Sequence, residues 1–174
     1  MGLWFCDGRP YVGRGGALAN IYQVKVGRLI EVRLDCDVRT PGDVDTWFNG
    51  VAAAARVIPP GVRAVVVADW RSCRLLSDEA SERARTRLIQ SNSLVERSAA
   101  LADADSAVNV LQFLRLCRDS DNPNRRLFTA PTPLIGWLGE VLREPERRRL
   151  VDFLVEYDGG RVDLAKPRVT ARGS

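Results

Sequence analysis

The chain has 174 residues, of which 45% are hydrophobic and 28% are charged, and this composition suits one globular domain and excludes a chain that is disordered throughout. Histidine is absent, which removes the usual general base near neutral pH and the commonest metal ligand, so we expect a binding protein without metal or cofactor rather than an enzyme. The net charge of +4 comes from arginines interleaved with acidic residues, so we expect solvated helix faces and no nucleic-acid partner.

Residues 1–20 predict an irregular leader, because glycines are frequent there and no phosphate-loop motif is complete. This segment lacks the charged and apolar regions of a secretory signal, and the chain contains no run of about 18 apolar residues that could form a membrane span. We therefore expect a cytoplasmic protein. The spacing of the four cysteines matches neither a metal site nor a disulfide framework, so we expect free thiols at Cys6, Cys36, Cys73 and Cys117.

A β-hairpin is the first regular element that the pattern predicts. Apolar and polar residues alternate over 21–26 and again over 29–36, and Gly27 permits a tight turn between the two strands. Asp35 and Asp37 end the second strand, where a carboxylate pair could serve a metal or acid–base site. No histidine, glycine-rich cradle or second acidic cluster accompanies them, so we favour a turn-capping role.

A helix and a buried strand follow. Thr40 and Pro41 predict the start of the helix, and the prolines of residues 59–61 predict its end. The unbroken apolar run over 63–69 is typical of a strand that is buried on both faces, and so of a largely parallel sheet covered by helices. The core-facing stripe of the helix is predicted to comprise Val44, Trp47, Phe48, Val51, Ala52, Ala55 and Ile58.

The loop after this central strand is the first candidate site. Ligands in open α/β sheets tend to bind outside the carboxyl ends of the strands. We therefore predict a loop that binds a partner or a ligand, made of Asp69, Trp70, Arg71 and Ser72. The alternative is a solvent-exposed turn in which Trp70 folds onto the core.

Ser77 is the second candidate. Its hydroxyl can cap a helix that runs to about Ile89, with Asp78 and Glu79 in the first turn. The same position offers a phosphorylation site, since the amino end of a helix attracts phosphate. We favour the capping role and keep phosphorylation of Ser77 as the alternative.

A strand over 94–101 is followed by a helix that Asp105 or Ser106 caps, and this helix carries Val108, Leu111, Leu114 and Cys117 or its neighbours. After a turn over 119–124, residues 126–128 predict a short edge strand. Nearby arginines could converge and bind an anionic partner, although local ion pairs with Asp119 and Asp121 are the favoured alternative. This third candidate site comprises Arg115, Arg118, Arg125 and Arg126.

Two further helices start at Thr132-Pro133 and Glu144-Pro145. The complete order is ββαβαβαβα plus a carboxyl-terminal helix. It predicts an α/β fold with a single mixed, mostly parallel sheet of four to five strands flanked by helices. We assign residues 21–158 to this domain, between the leader 1–20 and a polar tail 159–174.

The block Glu96-Arg97-Ser98-Ala99, the segment 122–128 and the pair Trp137-Leu138 lie within this element order. Together they resemble the SpoIIAA-like branch of the STAS-type superfamily over about residues 21–142. The resemblance implies a compact mixed sheet and a role in binding proteins or small apolar or anionic ligands. It also implies a phosphorylated serine at the start of the helix after the central strand. Ser77 is the nearest match and Ser72 the second, although residues 76–79 lack the small residues and glycine of that pattern.

We expect a regulatory or scaffold protein that acts by protein–protein interaction. Homodimerisation is a further expectation, because exposed apolar patches mark interfaces and one core does not easily hold Trp4, Phe5, Trp47, Trp70 and Trp137. The alternative is a carrier or sensor of a small apolar or anionic ligand. A mainly apolar cavity with a few convergent polar groups would be its sign.

Overall fold

Residues 20–34 and 38–156, the part of the chain that the computed structural model describes, form one mixed sheet of five strands flanked by five α-helices. This confirms the predicted α/β class. The predicted tail, the leader up to residue 19, and Asp35 and Asp37 lie outside the described residues. The strands are β1 (Ile21–Val24), β2 (Leu29–Arg33), β3 (Ala64–Asp69), β4 (Val95–Leu101) and β5 (Arg125–Phe128). The helices are α1 (Pro41–Ala55), α2 (Asp78–Gln90), α3 (Ala107–Arg118), α4 (Pro131–Gly139) and α5 (Glu144–Glu156).

The strand order in the sheet is the order in the chain, β1-β2-β3-β4-β5. The β1–β2 hairpin is antiparallel, and the other three pairs are parallel. Successive parallel strands that are joined by crossovers of one hand place all the connecting helices on one face of the sheet. Accordingly, α1, α2 and α3 pack on one face, and α4 and α5, which come after the last strand, cover the other.

The face under α1–α3 holds an aromatic cluster. The rings of Trp47 and Trp70 meet edge to face with centroids 5.6 Å apart, and the ring of Phe113 lies 5.0 Å from that of Trp70. Trp47 and Trp70 are 5% and 4% exposed. One core therefore accommodates both indoles, and these two residues give no support to the aromatic argument for a dimer. Trp4 and Phe5 lie outside the described residues.

The face under α4 and α5 combines an apolar core with buried charges. Leu29, Val65 and Val67 of the sheet contact the helices, where Leu134, Leu138, Leu150, Phe153 and Leu154 are all fully buried. Glu31 is also fully buried, and both of its carboxylate oxygens accept hydrogen bonds of 2.7 Å from Arg149 of α5. The Arg33 guanidinium donates to the Phe153 carbonyl at 2.8 Å. These two contacts tie α5 to the charged residues of β2 and so help to fix the position of this helix on the sheet.

Of the apolar residues that the sequence pattern named on α3, Cys117 and its neighbour Leu116 are buried, whereas the others are exposed. Val108, Leu111 and Leu114 are 61%, 67% and 51% exposed, whereas Phe113, Leu116 and Cys117 are buried. Apolar residues occur on all sides of this helix, so a period of 3.6 residues fits more than one face and does not indicate which one meets the sheet. In the described ranges, no helix has both the length and the hydropathy to cross a bilayer.

Candidate functional site

A cavity of about 490 Å³ lies between the sheet and the helices α1 and α2. Its floor is one face of four strands, and its walls include Trp47, Val51 and Leu88. The volume falls within the range of small-molecule binding sites, roughly 300–1,000 Å³. The floor consists of Ile30, Val32, Ala64, Val66, Ala68, Ser98, Ala100 and Arg125.

Small side chains explain why this space is not filled. Ala64, Ala68 and Ala100 of the floor stop at Cβ, and Ser98 adds only a hydroxyl. Protein interiors are normally packed to the density of organic crystals, so a row of small residues beneath two helices leaves room that the helices do not occupy. The alanines of α1 that line the opposite wall, Ala52 and Ala55, widen the space further.

The cavity is open at the amino-terminal edge of the parallel strands. The exposed lining residues near this edge lie in the loop after α1 and at the end of α2, and comprise Arg56, Pro59, Pro60, Gly61, Val62, Gln90 and Leu94. Trp47 and Trp70 close the other end. The opening therefore lies at the sheet edge opposite to the one where the sequence predicted a binding loop.

Arg125, the first residue of β5, brings a positive charge to the cavity. It is 7% exposed, and its Nε–H has no hydrogen-bond partner. Its Nη2 makes only long hydrogen bonds, at 3.2 Å to Asn92 Oδ1 and 3.4 Å to the Leu88 carbonyl. No ion pair joins it to a carboxylate of the described residues. Burial lowers the pKa of the Arg125 guanidinium to about 10, which leaves it charged at neutral pH.

Neighbouring groups extend this polar end of the cavity. Ser98 is the register partner of Arg125 in the parallel β4–β5 pair, so its side chain lies on the same face of the sheet. Cys117 also lines the cavity, and burial raises the pKa of its thiol to about 11, so the thiol is protonated at neutral pH. Two further lining residues carry buried N–H groups without a hydrogen bond, at Trp70 Nε1 and at Arg87 Nε, which lies 3.5 Å from Asp45 Oδ1.

This arrangement can bind an acceptor. Buried donors are nearly always satisfied, so unsatisfied N–H groups around an apolar space fit a molecule that carries an anionic or carbonyl oxygen. In the described part of the chain, no group of three Cys, Asp or Glu side chains is placed to hold a metal ion.

The residues of the predicted binding loop are buried or half-buried. Asp69 is 1% exposed, and Arg71 grips it side-on, with Nε and Nη2 donating to the two carboxylate oxygens at 2.9 and 2.8 Å. Arg33 Nε approaches the same carboxylate at 3.5 Å. Ligand crevices in open α/β sheets form where the strand order reverses, and the order here does not reverse at β3. Of the four predicted residues, only Trp70 contacts the cavity, and Ser72 is half-buried.

Ser77 is the amino cap of α2, as predicted. Its Oγ accepts from the Ala80 amide at 3.2 Å and donates to the Arg39 carbonyl at 2.6 Å. The second hydrogen bond joins α2 to the loop before α1. The Ser77 hydroxyl thus has a structural role both as an acceptor and as a donor. Phosphorylation of Ser77 stays a prediction.

Substitution Ser77→Ala is expected to lower the free energy of unfolding by about 1–2 kcal/mol, because it removes an amino cap and a hydrogen bond between segments. Urea unfolding followed by circular dichroism measures this loss. Ser93→Ala is the matched control, since Ser93 is exposed and caps no α-helix. An equal effect of the two substitutions would contradict the capping role.

The four predicted patch arginines do not come together. Arg115 and Arg118 are exposed and share Asp119, at 3.4 and 2.8 Å, which is the local pairing that the sequence favoured. Arg125 lines the cavity, whereas Arg126 lies on the opposite face of β5, 4.9 Å from the ring of Trp137. The sequence pattern predicted Arg125 as part of an anion-binding surface patch. Its immediate sequence gives no signal for this position, because the residues that surround Arg125 in the cavity come from β4, α2 and α3.

Comparisons with protein-family models, with curated proteins and with solved structures found no match to this chain. The resemblance to the STAS-type superfamily therefore stays a prediction. The candidate site depends on the geometry of the cavity and on the chemistry of the groups that line it.

Proposed function

We propose that this protein binds a small molecule with an apolar body and one carboxylate, and that Arg125 is the counter-charge for that carboxylate. This is the carrier or sensor function that the sequence offered as an alternative. The observation that carries the proposal is a buried guanidinium beside an apolar cavity, without a carboxylate from the described residues.

The comparison with Arg71 explains why a carboxylate fits. Arg71 uses Nε and Nη2 to hold both oxygens of Asp69, which is the strong, bidentate mode of pairing. On Arg125 the same edge has an unsatisfied Nε–H and only long bonds from Nη2. A carboxylate seated on this edge supplies two acceptors, and the hydroxyl of Ser98 lies on the same face of the sheet.

The energetic cost of burying Arg125 also favours a bound anion. A buried charge without a counter-ion costs several kcal/mol, and a chain selected for stability alone would place an apolar residue there. Binding of an anion compensates this cost. The buried charge therefore lowers the stability of the ligand-free protein and favours the ligand-bound state. The apolar walls then bind the body of the ligand through the hydrophobic effect.

Substitution Arg125→Met is expected to stabilise the ligand-free protein by about 1–2 kcal/mol, because a flexible apolar chain replaces an uncompensated charge. The same substitution is expected to weaken the binding of decanoate about 10- to 100-fold, since it removes charge-assisted hydrogen bonds. Urea unfolding and isothermal titration calorimetry measure the two effects. Their opposite signs distinguish a ligand-binding residue from a structural one.

The matched control is Arg148→Met, because Arg148 is exposed and lies outside the cavity. It should change neither stability nor binding by more than about 0.5 kcal/mol. Decanol, which lacks the carboxylate, should bind the native protein and the Arg125→Met variant alike. Unchanged decanoate binding by Arg125→Met, or the absence of decanoate binding by the native protein, would refute the proposal.

A regulatory role through a partner protein and a cytoplasmic location stay predictions of the sequence. They are compatible with ligand binding, since a sensor transmits the occupancy of its site to a partner.

A further inference from the structure

The outer face of α3 carries an apolar stripe that the core does not use. Val108, Leu111 and Leu114 are 61%, 67% and 51% exposed, and their spacing of three residues places them side by side along the helix. Leu75, 45% exposed, lies close by, since Leu76 next to it exchanges hydrogen bonds with Gln112 of α3. Contiguous exposed apolar side chains of this kind mark interaction surfaces.

The two ends of α3 carry opposite charges. Asp103 and Asp105 precede the helix and are exposed. Arg115 and Arg118 lie in its last turn with side chains 78% and 73% exposed, and the two arginines share the single carboxylate of Asp119. The exposed face of α3 is therefore acidic at its start, apolar in the middle and basic at its end.

We infer that α3 packs antiparallel against α3 of a second copy of this chain. A two-fold interface brings the same patch of both copies together, so the patch must complement itself. A helix that is acidic at one end and basic at the other does so only when the two copies run in opposite directions. The basic end of each copy then meets the acidic end of its partner.

The spacing along the helix fits this arrangement. Arg118 lies seven residues after Leu111, and Asp105 lies six residues before it. At a rise of about 1.5 Å per residue, Arg118 lies about 10 Å after Leu111, and Ala107, the first residue of the helix, lies about 6 Å before it. Antiparallel helices that cross at Leu111 thus bring the basic end of each copy to the acidic start of the other. The apolar stripe supplies the affinity, and the charges at the rim set the orientation.

Sedimentation equilibrium of the full chain, from about 10 μM to 1 mM, tests the inference. This range covers the weak affinities expected when a single helix from each copy forms the interface. The native chain is expected to form dimers reversibly, and Leu111→Glu is expected to be monomeric with an unchanged melting temperature. Val57→Glu is the matched control, because Val57 is 68% exposed, lies in the segment after α1 and does not line the cavity. It should dimerise like the native chain. A native chain that is monomeric throughout, or a Leu111→Glu variant that still dimerises, would overturn the inference.

Charge reversal tests the direction of packing. Reversing the basic end (Arg115→Glu with Arg118→Glu) or the acidic end (Asp103→Arg with Asp105→Arg) should each raise the dimer dissociation constant about tenfold. The chain that carries all four substitutions should regain the native value, because its ends are again opposite in charge. Parallel packing predicts no change in either double variant, since like ends would already meet in the native dimer. Decanoate binding by the monomeric Leu111→Glu variant should be unchanged, which keeps this test separate from that of the cavity.

Discussion

Substitution Asp69→Ala is expected to lower the free energy of unfolding by about 3–5 kcal/mol, measured by urea denaturation. The Asp69 carboxylate is fully buried, and it forms ion pairs with the guanidinium groups of Arg33 and Arg71. Removal of one member of a buried ion pair withdraws the carboxylate to which these guanidinium groups bond, so the loss exceeds the value of the contact itself. Decanoate affinity of the folded fraction should be unchanged, since Asp69 does not line the cavity.

Asp119→Ala is the matched control, because Asp119 also forms ion pairs with two arginines, and the side chains of these arginines are exposed. Exposed ion pairs contribute little, and the loss here should stay below about 1 kcal/mol. If Asp69→Ala were as mild as the control and abolished the binding of a partner or ligand, the loop that follows β3 would be the functional site that the sequence suggested.

Substitution Gly27→Ala is expected to cost about 3–5 kcal/mol of stability. Gly27 has a φ of +57°, where an L side chain is strained, and a Cβ built on it would lie 2.1 Å from Glu146 Oε1. The Glu146 side chain cannot move away freely, because it is buried and accepts hydrogen bonds of 2.8 Å from the amides of Arg28 and Arg143. Thermal and urea unfolding both measure the loss.

Gly61→Ala separates the two contributions. Gly61 also has a positive φ, of +81°, but no atom lies within 4 Å of the Cβ position. Its substitution should therefore cost only the backbone strain, about 1–2 kcal/mol. If Gly27→Ala were no more costly than Gly61→Ala, the contact between the hairpin turn and α5 would not contribute to stability.

The sequence predicted those parts of the fold that local chemistry determines. Thr40 and Pro41 define the start of α1, and the Thr40 side chain forms a capping box with Asp43. The apolar run in β3 predicted a central strand, and this strand lies in the middle of the sheet with both faces covered. In each case the signal depends on a few adjacent residues and on no distant partner.

The features that the sequence did not predict depend on contacts between residues that are far apart in the chain. The buried face of α3 is selected by Phe113, whose ring fits against Trp70, a residue far away in the chain. The cavity arises because alanines from three separate segments meet, and no one of these segments differs from an ordinary core element. Arg125 is the instructive case, since its sequence neighbours are polar and the apolar surroundings come from β4, α2 and α3.

The placement of α4 and α5 has a consequence for biosynthesis. The ribosome releases β1 to β5 together with α1–α3 first, and these elements can cover only one side of the sheet. Until residues 144–156 emerge, Glu31 on the other side has no Arg149, and Arg33 has no Phe153 carbonyl. The nascent intermediate thus exposes charged side chains on a face that is buried in the folded protein, and these charges oppose aggregation until α5 docks.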